Sequence, residues 1–261
     1  MRLSPSVIVR GLGRAGFLGL IVATAVPSAH ALTINVTYDS SITNLGNAAA
    51  IQTAFDSVVS QFESAIANNI TVNFNVAWGK VNTTPITSGL VGEALVNASG
   101  GFYSYAQVSG FMGATGATLP TTNPLGASLF LVPNAQAKAL GISGITYPAY
   151  DAYIGFSSTA PFTFDDSSGI GALTYDFEGI AAHEIEHALG RVTSLTSSAT
   201  PIFAYAADLF RYSGSGTNSF TYNTPNGGTP AYASVDGGVT SLGTYADQSS
   251  GSGERSDWQS P

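Results

Sequence analysis

The chain contains no cysteine, so disulfides and thiolate metal ligands are both excluded. Charge is nearly as scarce. Charged residues make up 9% of the chain, against about 25% in an average globular protein. Basic residues are fewest, 8 Lys and Arg against 16 Asp and Glu, which argues against nucleic acid as a partner. Gly, Ser, Thr and Asn fill the gap, a composition that favours turns and β-structure with a polar, uncharged surface. Histidine is limited to three residues, His30, His183 and His187. Long apolar runs are missing too: nothing after residue 31 is apolar for long enough to span a bilayer.

What is present begins with an export signal. Arg2, Arg10 and Arg14 form a basic n-region, Ala15 to Val26 a short apolar run, and Ala29-His30-Ala31 an A-x-A cleavage site. The expectation is a signal peptide over 1–31, cleavage after Ala31 and a secreted or extracellular chain starting at Leu32. Losing three arginines and no acid takes the net charge from −8 to −11. An acidic, charge-poor surface suits a secreted protein. The remaining residues, 32–261, are enough for one domain or two close lobes. They divide as an upper lobe over about 32–190 and a lower subdomain over about 191–261. Four N-x-S/T sequons, at Asn35, Asn69, Asn82 and Asn97, reflect the Thr- and Asn-rich composition.

Hydrophobic periodicity gives an α+β order. Leu32 to Tyr38 alternates and reads as a strand. Asn47 to Asn68 carries Ala50, Phe55, Val58, Val59, Phe62 and Ile66 at helical spacing and reads as a long amphipathic helix. Thr71 to Val81 alternates again. Residues 82–128 are rich in Gly, Thr and Ser and read as loops with a short helix near Tyr103 to Val108. Strands are expected at Ala127 to Val132 and Tyr150 to Ser157. Helices follow over about Tyr175 to Leu189 and Ile202 to Phe210. The tail from Gly214 reads as loop with short strands at Phe220 to Tyr222 and Tyr232 to Val235.

The first of those two helices carries the most specific signal, His183-Glu184-Ile185-Glu186-His187. It reads H-E-x-x-H, the two-histidine zinc site of metallopeptidases. A chain of this length contains that pattern by chance about once in a hundred cases. Residues four apart share a helix face, so both imidazoles can reach one metal ion. Glu184, about 100° round from His183, can stand beside the metal without binding it, where a general base belongs. Ala181, Ile185, Ala188 and Leu189 form an apolar stripe behind the histidines, and Gly190 is a stop signal. Outside the leader, all the histidine in the chain is spent on this pentapeptide.

Strand, helix, strand, then a strand leading to an H-E-x-x-H helix is similar to the zincin fold. Asp151-Ala-Tyr-Ile-Gly-Phe-Ser-Ser158, Tyr175-Asp-Phe-Glu-Gly-Ile-Ala-Ala-His-Glu-Ile185, Leu189-Gly-Arg191, Asp208-Leu-Phe-Arg-Tyr-Ser213 and Val235-Asp-Gly-Gly238 resemble secreted bacterial metalloproteases that accompany PEP-CTERM sorting systems. The resemblance covers the second half of the chain well and the first half in outline. It implies a zincin-like mixed sheet with a long helix and the H-E-x-x-H helix, a loop-rich C-terminal subdomain, bound Zn2+, and a protein or peptide substrate. Relatives continue past Asp257-Trp258-Gln259-Ser260-Pro261, which shows neither apolar tail nor basic cluster. The expectation is therefore a chain truncated at its C-terminus, with no sorting anchor in view.

The third ligand follows by elimination. Metzincins place a third histidine six residues after the second, but this chain has Thr193 there. With no His or Cys left beyond the leader, a carboxylate is the usual choice. Glu178 projects roughly 140° away from His183 on the same helix. Asp208, 21 residues beyond His187 on the expected second helix, is the choice. Arg211 would orient it, and Tyr205 or Tyr212 would face a developing oxyanion. Asp236 in Val235-Asp-Gly-Gly238 reads as a turn residue. Glu186, inside the motif, reads as a solvated acid, unusual so near a metal. Two other function classes stay open: a non-catalytic secreted binding or matrix protein on the same fold, and a hydrolase of something other than peptides.

Overall fold

The structure is a computed structural model that describes residues 32–127, 129–195, 203–220, 231–246 and 256–258. The predicted leader, 1–31, and most of the strand expected at Phe220 to Tyr222 lie outside the described residues.

Strand β1 (Leu32–Tyr38) buries Leu32 and Ile34 and exposes the residues between, as its alternation requires. A single turn, α1 (Ser40–Thr43), is capped by the Asp39 carboxylate, which accepts from the Ser41 amide. Helix α2 (Ala48–Ala65) buries Ile51, Ala54, Phe55, Val58 and Val59. That is the i, i+3, i+4, i+7, i+8 stripe of a helix with one face on a core. Strand β2 (Ile70–Trp78) returns parallel to β1, from Leu32 opposite Ile70 to Tyr38 opposite Val76. The parallel pair needs a crossover of this length, and α2 supplies it.

The segment expected to be loop contains more structure than its composition suggests. Strand β3 (Lys80–Val81), the end of the expected strand, makes a small hairpin with β4 (Thr84–Pro85), and β5 (Gly92–Val96) and β6 (Phe102–Tyr103) precede α3 (Tyr105–Gly113), near the short helix expected at Tyr103 to Val108. Helix α3 starts on a capping box between Ser104 and Gln107. Then come β7 (Leu129–Leu131), α4 (Asn134–Ala139) and β8 (Ala152–Phe156). Strand β8 lies parallel to β2 and antiparallel to β5, so the main sheet runs β1-β2-β8-β5 with one antiparallel edge. Short strands β9 (Phe162–Thr163) and β10 (Tyr175–Asp176) pair just before α5 (Phe177–Ala188), the H-E-x-x-H helix.

The helix expected over Ile202 to Phe210 is not formed. Its described residues are β11 (Phe203–Tyr205), parallel to β7, and a 3-10 turn at Ala206–Phe210. Pairing to β7 draws the backbone into an extended path that the local pattern does not reveal. A small antiparallel sheet follows, β12 (Arg211–Gly214), β13 (Thr217–Asn218), β14 (Tyr232–Ala233) and β15 (Gly243–Thr244), in the order β13-β12-β14-β15.

Two apolar clusters hold the mixed α+β molecule together. The first packs α2 and α5 on the main sheet through Phe55, Phe74, Ile154, Phe156, Phe177 and Ile185. The second joins Tyr103, Val108 and Phe130 to Leu195, Ala204 and Leu209, so residues on both sides of position 190 share it. Among the described residues no helix is long and apolar enough to cross a membrane.

Candidate metal centre

Helix α5 begins at Asp176, the N-cap residue, with Glu178 in the first turn, where a carboxylate suits the helix dipole. Phe177, Ala181, Ile185 and Ala188 are buried toward the sheet. That face fixes the rotation of the helix, which leaves His183 partly exposed and buries Glu184 and His187. Gly190 ends the helix at φ +114°, in the left-handed region where glycine is favoured. The reversal returns the chain so that the Arg191 amide donates to the Glu186 carbonyl at 3.0 Å. It also aims the Arg191 carbonyl at His187 Nδ1, 2.6 Å away.

That last contact sets the tautomer. A carbonyl only accepts, so Nδ1 carries the proton and the neutral ring presents its lone pair at Nε2. His187 Nε2 lies 3.1 Å from His183 Nε2 and 3.0 Å from Asp257 Oδ1. His183 Nε2 lies 3.2 Å from the same oxygen. Three groups rich in lone pairs therefore face one another, and a positive charge between them relieves the repulsion. A proton on His183 is one such charge. Burial of the His183 ring disfavours its cation, but the hydrogen bond and charge of Asp257, with the charge of Glu184, outweigh that and raise its pKa above the ordinary histidine value.

The donor set fits a small tetrahedral cation. Zinc arms of 2.0–2.1 Å put neighbouring donors about 3.3 Å apart, close to the 3.0–3.2 Å found here. Two imidazoles and one carboxylate make a three-ligand set that leaves a fourth position open, the composition of catalytic sites. His183, His187 and Asp257 are the one group of three or more such donors among the described residues.

The carboxylate that stands beside the two histidines is that of Asp257, not of Asp208, the sequence-based choice of third ligand. Asp208 is buried, and its carboxylate is occupied elsewhere. It accepts from the Thr193 hydroxyl, from the Ser194 amide at 3.2 Å and hydroxyl at 3.1 Å, and from the Tyr205 amide at 3.0 Å. It caps the 3-10 turn and ties that turn to the loop leaving α5. Burial raises its pKa, against the opposing effect of those hydrogen bonds and of Arg211. Arg211 is expected to orient Asp208, and its charge does act on that carboxylate. Its guanidinium carbon stands 3.9 Å from the centre of the Tyr245 ring. Tyr212 donates to the Thr118 carbonyl at 3.4 Å, and Tyr205 supplies its backbone amide to Asp208, so neither contact is made toward the histidines. Glu178 belongs to a separate acidic patch with Asp166 and Asp176. Asp236 is the turn residue expected, accepting from the Val239 and Thr240 amides at 3.0 and 2.9 Å.

Glu184 lies against strand β5. A Cβ on Gly92 would stand 2.6 Å from its Oε1. Sequence reasoning missed Asp257 because it lies 70 residues beyond His187. The sequence favoured a carboxylate as third ligand but did not place Asp257 beside the histidines.

Comparison of the chain with models of known protein families, with curated proteins and with solved structures finds no match.

Proposed function

We propose that the chain is a secreted zinc-dependent endopeptidase on a zincin-like fold, with Glu184 as general base. The observation that carries this reading is the convergence of His183 Nε2, His187 Nε2 and Asp257 Oδ1 to within 3.0–3.2 Å of one another. Zinc bound there would lower the pKa of a water molecule and polarise a substrate carbonyl. Glu184 sits one residue from the first histidine with its carboxylate held at the edge of the sheet. It takes the proton of the attacking water and passes it to the leaving amine. The His187 Nδ1 contact with the Arg191 carbonyl keeps the imidazole in the ligating tautomer.

A peptide substrate is favoured over other hydrolysable groups by strand β5. It ends the sheet order, so among the described residues no strand lies on its outer side. An extended peptide can add to such an edge through main-chain hydrogen bonds, and Gly92 of that strand touches Glu184.

The test is metal analysis of the purified protein together with digestion of an unfolded protein substrate. One zinc per chain is expected, with proteolysis lost in Glu184→Gln while the zinc stays bound. The loss of a positioned general base should cost about 10²–10⁴-fold. No zinc after supplementation would favour a binding or matrix role. Near wild-type cleavage by Glu184→Gln would reject the assigned base.

A further inference from the structure

The pentapeptide holds one acid that the proposed chemistry does not use. Glu186 Oε2 accepts from Trp258 Nε1 at 2.9 Å and pairs with Arg191 Nε at 2.7 Å. Arg191 extends the same contact. Its Nη1 donates to the Ser256 carbonyl and lies 3.3 Å from Asp257 Oδ1, while Nη2 reaches the His183 carbonyl at 3.4 Å. The helix that carries both histidines and the turn that follows it thus grip the two residues flanking Asp257.

Trp258 has a prepared seat. Its ring stacks on Tyr245 at 5.2 Å between centroids and 21° between planes. The Arg191 guanidinium carbon is 5.6 Å from the ring centre. Residue 243 is glycine, and a Cβ there would press on the Trp258 ring at 3.0 Å. The backbone is held as well, by a bridge between Tyr245 and Trp258 and by the Ala246 amide donating to the Asp257 carbonyl at 2.7 Å. A tryptophan with an N–H partner, a stacked ring and a cation near its face is held in both position and orientation.

We propose that Glu186, Arg191 and Trp258 form a latch that docks Ser256–Trp258 on the metal helix and so presents Asp257 to His183 and His187. The proposal rests on the reading of that triad as a metal site. Glu186 and Trp258 are positioning residues, acting through Asp257. The physical need is clear: a ligand so distant in sequence must be ordered before it can bind, and ordering each residue costs conformational entropy. The latch contacts offset that cost outside the coordination sphere, so that the carboxylate is already in place when the metal arrives.

The experiment is a mutant cycle on zinc affinity, read by chelator competition. Glu186→Ala and Trp258→Ala, each made alone, should weaken zinc by about 10–100-fold, the range for residues that orient ligands. In an Asp257→Ala background neither should cause further loss, because no carboxylate remains to be delivered. A merely structural role would reduce affinity equally in both backgrounds and would overturn the proposal. So would unchanged affinity in the single variants. A gain in proteolysis would overturn it too, since Asp257 would then block the site rather than complete it. A second readout needs no metal. In fluorotryptophan-labelled protein the Trp258 fluorine resonance is identified by its absence from Trp258→Phe. It should shift toward the free amino-acid position in Glu186→Ala. Wild-type protein that binds no zinc would reject the metal reading by itself. The fluorine signal would then decide the docking alone, and identical positions in wild type and Glu186→Ala would reject it.

Discussion

Gly92 and Glu184 touch across the junction of β5 and α5: a Cβ on residue 92 would lie 2.6 Å from Glu184 Oε1 and 2.9 Å from its Cγ. The missing side chain is what lets the buried carboxylate rest against the edge strand. Gly92→Ala puts a methyl group where the far end of that flexible side chain now lies, so the carboxylate moves and the strand stays. A displacement of about 1 Å in a catalytic group can cost on the order of 100-fold. The expected result is a kcat lower by about 10–100-fold, with zinc affinity and melting temperature near wild type. Wild-type kcat would show that Glu184 is not held in its working position by this contact.

Asp257→Ala and Asp208→Ala separate the two candidate carboxylates. Asp257→Ala should weaken zinc by at least the 10–100-fold typical of losing an outer-shell partner, and the zinc-dependent rise in melting temperature should shrink accordingly. Asp208→Ala strips an acceptor from the Ser194 and Tyr205 amides. Each buried donor left unpaired costs about 1–3 kcal/mol, so its signature is a lower melting temperature in metal-free protein. Chelator competition and thermal melts on both variants decide. If Asp208→Ala lost zinc and Asp257→Ala kept it, the ligand assignment would return to Asp208.

Phe177 opens α5 inside an aromatic cluster, 4.6 Å from Phe156 and 4.9 Å from Phe164 between ring centroids. It is fully buried. Phe177→Ala should destabilise the fold by about 3–5 kcal/mol, measured by denaturant unfolding of metal-free protein. Because the cluster fixes the start of α5, zinc binding should weaken in parallel. A cost below about 1 kcal/mol would mean that the cluster is not what seats the helix.

Exported protein should begin at Leu32. Leu32 is the first residue of β1, fully buried and paired with Ile70. The A-x-A site before it ends at Ala31. Mass spectrometry of the N-terminal peptide from culture medium is the check, and an intact Met1 on exported chain would contradict cleavage.

What the sequence determined by itself was local. The buried set of α2, at Ile51, Ala54, Phe55, Val58 and Val59, repeats with the helical period. Strands β1, β2 and β8 appear where alternation or an apolar run placed them. His183 and His187 share a face because four residues make about one turn, and with no other His beyond the leader and no Cys, a carboxylate was the expected neighbour. Tertiary structure decided the rest. The apolar run near Phe203 became strand because β7 was there to pair with it. Asp208 and Asp257 are the same residue type, each beyond the metal helix, and nothing near either one separates ligand from cap. Asp208 met the Tyr205 amide at the start of a 3-10 turn, whereas Asp257 lies beside the histidines and Arg191, with Trp258 bonded to Glu186. Periodicity encodes which face a residue shares with its neighbours, but a contact across 70 residues exists only after the chain between has packed.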